Sequence, residues 1–130
     1  MYQSYADAAY YTDVFGGTTI PADDLEKYLR TASRHIDSLT YNRIISRGIN
    51  DLTEFQQDLV REVCCEMAEF EHDNEDLIQS VLQNYSINGV SMSFGSSWNV
   101  RIMSGVAVRA DIYDKLSQTG LCNPILRGRW

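Results

Sequence analysis

The sequence predicts a mainly α-helical domain, a small helical bundle of three or four helices that carries one β-hairpin. Three patterns lead there. Leu25, Tyr28, Leu29, Ala32, Ile36 and Leu39 recur at spacings of three and four, the period of one buried helix face. A second stripe of that kind, carrying Phe55 and Phe70, opens at Thr53 and Gln56, whose spacing is that of a capping box. Over residues 85–94 the period changes to two, apolar and small polar residues alternating on either side of Asn88-Gly89. That dipeptide suits a type I′ turn, in which both central residues need positive φ. An isolated hairpin is marginal in water, so this one is expected to pack on helices or on another chain.

Taken in order, residues 4–11 are expected as one short helix, because Ala6, Ala8 and Ala9 are good helix formers, and Gly16-Gly17 breaks the chain after it. The next helix starts at Thr18-Thr19-Ile20-Pro21, with Pro in the first turn. Asp23 and Asp24 stand against the positive end of its dipole. Arg30 and Arg34 alternate with acids on its outer face. Residues 40–50 form a connection that closes on Gly48-Ile49-Asn50.

The second long helix turns Phe55, Leu59, Val63, Met67 and Phe70 inward, joined by Val60, Cys64 and Ala68. A stripe of that width suits the central helix of a bundle. The polar run over residues 69–76 marks its end, and Val81 and Leu82 lead into the hairpin, placed at about 83–94. Residues 95–99 are loop. Ser104 caps a third helix over residues 105–119, with Val108, Ile112, Tyr113 and Leu116 inward. Gly120 sits where a left-handed stop belongs, and Leu121 supplies the apolar contact after it. Pro124 bars any continuation. The chain therefore divides into a single domain, residues 1–121, and a C-terminal tail, residues 122–130.

A chain of 130 residues is one domain and buries roughly two-thirds of its unfolded surface. No run approaches the ~20 apolar residues that span a bilayer, and the first residues lack the basic and apolar parts of a signal peptide. No membrane is therefore expected. Three cysteines, Cys64 and Cys65 adjacent, do not make a disulfide framework, and they are expected as buried thiols in a reducing cytoplasm. Residues 1–80 hold 16 acidic and 6 basic side chains and residues 81–130 hold 2 and 5, which makes the two parts −10 and +3 within the total of −7. An acidic body grips phosphate poorly, which argues against sequence-specific DNA binding. The uneven charge has two readings: attraction between like subunits meeting head to tail, or acidic helix faces that are simply solvated.

Catalysis, cofactor and metal find no support in the residue patterns. His72 lies among Glu69, Glu71, Asp73, Glu75 and Asp76, but no His-x-x-x-His, Cys-x-x-Cys or Asp-x-Asp-x-Asp-Gly pattern is present. A solvated helix end accounts for them. Cys64 with His35 or His72 as base is not placed by any spacing. Gly16-Gly17-Thr18-Thr19 lacks the Lys and the preceding strand of a phosphate loop.

The joint order of these packing and turn signals carries a resemblance. Tyr5 through Phe15-Gly16-Gly17, then Ile20-Pro21, then Leu29-x-x-Ala32-Ser33-x-x-Ile36-Asp37-x-Leu39-Thr40 with Arg43-Ile44, resembles small head–tail connector proteins of long-tailed double-stranded DNA phages and prophages. The likeness continues through Cys65-Glu66, the serine-flanked hairpin and Leu116-Ser117-x-Thr119-Gly120-Leu121, and so covers nearly the whole chain. It implies a non-enzymatic virion protein of the phage neck, made in the host bacterial cytoplasm. Such proteins assemble as a ring, commonly of twelve subunits, beneath the portal protein, extend the DNA channel and meet a tail-side completion protein. DNA passes through without specific binding. Connectors often have a longer segment after the position of Leu121, so a smaller portal contact is expected here. The reading from a different class is a small non-enzymatic adaptor or regulatory binding module acting as monomer or dimer.

Two sets of residues are candidates for assembly. In the hairpin, Ile87, Asn88, Gly89, Val90, Met92 and Phe94 serve subunit contacts as well as the fold, because the hairpin is too small to stand alone. In the C-terminal tail, Leu121, Ile125 and Leu126 offer apolar anchors. Arg127, Arg129 and Trp130 are residue types enriched at interface hot spots. The resemblance assigns that tail to portal docking; the alternative is that it folds back over its own helices. The acidic strip over residues 69–76 is a candidate lining of the channel, where like charge keeps phosphate mobile.

Overall fold

The computed structural model describes residues 3–88, 100–103 and 105–123. Two long helices, α1 (Ala22–Leu39) and α3 (Glu54–Asp73), pack along each other and hold most of the core. α1 follows Pro21 and carries Asp23 and Asp24 in its first turn, where carboxylates complement the helix dipole. Leu25, Leu29, Ala32, Ile36 and Leu39 are all buried, as their spacing predicts, while Tyr28 of the same expected face is only partly buried at the edge of the core. α1 ends where the Thr40 hydroxyl donates to the Ile36 carbonyl at 2.8 Å. Tyr41 and Asn42 follow at φ of 57° and 59°, and the Asn42 amide donates to the Asp37 carbonyl at 2.8 Å. The expected plain connection then holds a short helix, α2 (Arg43–Arg47), and a 3-10 turn at Ile49–Asp51.

The capping box of α3 forms as the sequence predicts. The Gln56 amide donates to Thr53 Oγ1 at 3.2 Å and the Thr53 amide to Gln56 Oε1 at 3.0 Å. Leu59, Val60, Val63, Cys64, Met67, Ala68 and Phe70 are buried. Phe55 departs from its expected place and is 60% exposed: in the first turn the inward position belongs to Gln56, which is buried and bonds the Thr119 carbonyl. α3 stops at Asn74, and α4 (Glu75–Asn88) follows at once.

α4 corrects the placement of the hairpin. Residues 83–88 are helical, Ile87 and Asn88 among them, and Gly89, Val90, Met92 and Phe94 lie outside the described residues. Ile78, Leu82 and Tyr85 continue a spacing of four and three, so the helical period of the preceding residues runs into the start of the alternating stretch. A β-hairpin does exist, further along. β1 (Val100–Met103) pairs antiparallel with β2 (Val106–Arg109), with Val100 opposite Arg109 and Met103 opposite Val106. Gly105, at φ +78°, occupies the left-handed region in its connection, as a tight turn requires.

The third predicted helix is correspondingly shorter. Residues 106–109 are strand and α5 (Ala110–Ser117) carries the rest, with Ile112 and Leu116 buried and Tyr113 partly so. Gly120 takes the left-handed stop at φ +81° and Leu121 is buried behind it, as the sequence predicts. β2 carries the sheet onto α1, α4 and α5; Val106 and Val108 join the core, and β1 lies on its outer side. The N-terminal residues fold over α1 and α3 with a π-helical turn at Tyr10–Phe15, in place of the expected plain helix.

Candidate assembly surface

At 3.6 residues per turn, α1 presents a flank on each side of its buried stripe. Lys27, Tyr28, Thr31 and His35 form one; Glu26, Arg30 and Arg34 form the other.

The first flank walls a cleft of about 310 Å³, closed by the end of α3, the start of α4 and the hairpin turn. Ile78, Leu82, Val106 and Ala107 give it apolar walls. The Tyr28 hydroxyl donates to Glu75 Oε2 at 3.0 Å, its ring stands edge-on to His72 with centroids 5.2 Å apart, and Lys27 Nζ lies 5.5 Å from the ring centre. The hydrogen bond to Glu75 pushes the Tyr28 phenol up from its ordinary pKa, and partial burial and the charges of Glu75, Asp24 and Glu71 push the same way. Beneath, Glu71 Oε2 contacts His35 Nδ1. Glu71 is 7% exposed, and its Oε1 is buried with no hydrogen-bond partner among the described residues. An unpartnered buried carboxylate oxygen is costly.

The second flank borders an open groove of about 810 Å³ and a smaller one of about 400 Å³. The N-terminal residues form one wall, anchored where the Tyr5 amide donates to Ser33 Oγ at 3.0 Å and the Tyr5 hydroxyl to Asp37. Arg30 reaches the smaller groove; Arg34 and Arg61 reach the larger, with Ile45 and Ile49. Ile45 is exposed there, and around the rest of the molecule Val14, Tyr41, Phe55 and Leu77 are large apolar side chains left exposed.

The candidate tail residues divide. Leu121 is fully buried, and its carbonyl accepts from Arg43 Nη1 at 3.0 Å, so it roots the tail in the core and offers no docking surface. Ile125, Leu126, Arg127, Arg129 and Trp130 lie outside the described residues.

The thiols are inert groups of the core. Burial pushes Cys64 up to about 11 and moves Cys65 and Cys122 upward as well, away from the thiolate a nucleophile needs. Among the described residues no group of three His, Cys, Asp or Glu side chains converges on a metal position, and no helix is long and apolar enough to cross a membrane. The acidic strip is not uniform: Asp73, Glu75 and Asp76 are exposed, whereas Glu71 is buried. Glu71 escaped the sequence reading because of its charge. Its position, four residues after Met67 and eight after Val63, places it on the inward face.

Comparison with protein-family models, with curated proteins and with solved structures finds no match to this chain.

Proposed function

We propose that this chain is a structural virion protein, a subunit of a ring that joins the capsid portal to the tail of a long-tailed phage or prophage and extends the DNA channel. The observation that carries the reading is the hairpin docked by one strand. β2 is buried against the helices, whereas β1 is the outer strand: Val100 and Met103 reach the edge of the core, and they and Ile102 stay only partly buried. A two-stranded sheet of this size gains most from a further surface, and a neighbouring subunit supplies one. The order of packing and turn signals along the chain supports the connector class, and the helical body with one hairpin suits it. The exposed carboxylates Asp73, Glu75 and Asp76 suit a passage from which phosphate must slide freely.

The test is to mix the purified chain with portal particles and image the product. A ring of this protein seated beneath the portal, together with no retention of duplex DNA at physiological salt, is the expected result. Particles that leave the portal bare at saturating protein would refute the assignment.

A further inference from the structure

Arg30 has a position unlike that of the other cations. Arg47 pairs with Asp51, Arg101 with Asp114, Arg109 with Asp111 and Lys115 with Glu66. Arg61 bonds Gln57, Arg43 bonds the Leu121 carbonyl, Lys27 lies over Tyr28, and Arg34 also has a partner. Among the described residues Arg30 alone of the lysines and arginines has no such contact, and it is exposed. The opposite deficit belongs to a residue that lines the cleft, Glu71, whose Oε1 is buried without a donor, and Glu75 lines the cleft beside it. The two deficits occupy different flanks of α1, on either side of its buried stripe, so one copy cannot satisfy both.

We infer that Arg30 of one copy enters the α1–α4 cleft of the next and pairs with the Glu71 and Glu75 carboxylates. The cleft suits a guanidinium. Its apolar walls, Ile78 and Leu82, take the aliphatic stem. Two carboxylates one helical turn apart in number accept a planar fork of N–H donors. The Tyr28 ring already receives a cation from its own chain, Lys27, and its hydroxyl holds Glu75 in place at 3.0 Å. A contact that joins one flank to the other is heterologous: every copy gives one arginine and receives one. Such contacts close into a ring or run on as a filament. The inference rests on the ring reading and names the seam within it.

The test keeps Arg30 in place and sets reporters beside it. Glu26 lies one turn before Arg30 on the same flank, and Gln79 lies at the cleft; both are exposed. The Glu26→Cys/Gln79→Cys double variant of the full chain is treated with a short bismaleimide, alone and on portal particles, with association followed by light scattering. The expected product is a ladder of multimers, while mixed single variants stop at a dimer. Arg30→Glu in the double variant should reduce the ladder at least tenfold, and adding Glu75→Arg should restore much of it. Circular dichroism checks that these exposed substitutions leave the fold intact. Rings that assemble normally with Arg30→Glu, or dimers from Glu26→Cys alone, would overturn the contact and leave the ring standing. A chain that stays monomeric both alone and with portal would overturn both.

Discussion

Tyr11 shows how one side chain ties the N-terminal residues to the bundle. Its ring is buried, its hydroxyl donates to Glu69 Oε2 at 2.7 Å, and the same oxygen accepts from the Thr19 and Ile20 amides at 3.2 Å each. Gly17 lies so close that a Cβ there would stand 2.2 Å from Tyr11 Cζ. Gly17→Ala is therefore expected to cost about 1–3 kcal/mol through overpacking. Tyr11→Phe should cost a similar amount, about 1–3 kcal/mol, because two amides lose their acceptor. Urea denaturation with an unchanged m-value checks both, and a Gly17→Ala midpoint equal to wild type would show that the ring gives way freely. The thiols supply a second test at this scale. Cys64 holds its proton to about pH 11 in the fold, against 9.0 for an ordinary thiol, so the folded state binds the extra proton. Its contribution is present below pH 9 and is lost as pH rises through 11, up to about 3 kcal/mol. Cys64→Ala should make the alkaline fall in stability shallower over that window without abolishing it, because burial raises Cys65 and Cys122 as well. A slope identical to wild type would remove Cys64 as its cause.

Among the elements, α3 joins a local signal to a tertiary one at Gln56. The side chain closes the capping box with Oε1, and its Nε2 donates to the Thr119 carbonyl at 2.9 Å, tying the start of α3 to the turn after α5. Thr53→Ala removes only a cap, about 1 kcal/mol. Gln56→Ala removes the reciprocal half of the box and leaves a buried carbonyl unpaired, about 2–3 kcal/mol. Thermal unfolding should rank them in that order, and equal losses would mean that the Thr119 bond contributes nothing. In the hairpin, Gly105 at φ +78° has open space around it, so Gly105→Val acts through backbone strain alone. It is expected to destabilise by about 1–2 kcal/mol and to loosen β1 first, visible as faster amide exchange at Ile102.

At the scale of the whole molecule, the C-terminal tail divides at its root. Leu121 and Cys122 are buried and Asn123 is exposed. Deleting residues 124–130 should leave helical content and melting temperature close to wild type while abolishing capture by portal. A deletion that starts at Cys122 should lower stability as well, because it removes a core side chain. If loss of residues 124–130 alone unfolds the protein, the tail belongs to the core and its docking role is wrong.

Much of this architecture is determined within short stretches of sequence. The limits of α1 and α3, the capping box, the stop at Gly120 with Leu121 behind it and the inward face of each long helix follow from spacing and terminal chemistry. They are legible because the interactions act over one or two helical turns. The hairpin was decided elsewhere. Val100, Ile102, Val106 and Val108 alternate at period two around Gly105, yet Val108, Ile112 and Leu116 also recur at period four, and Asn88-Gly89 reads as a helix stop as readily as a hairpin turn. Short apolar segments satisfy both periods, so the larger burial against α1, α4 and α5 selects strand for residues 106–109. The same holds for Glu71, whose charge points outward and whose position points inward. Packing drew it beneath the cleft with His35, because a side chain on the inner face of a central helix goes where the backbone carries it.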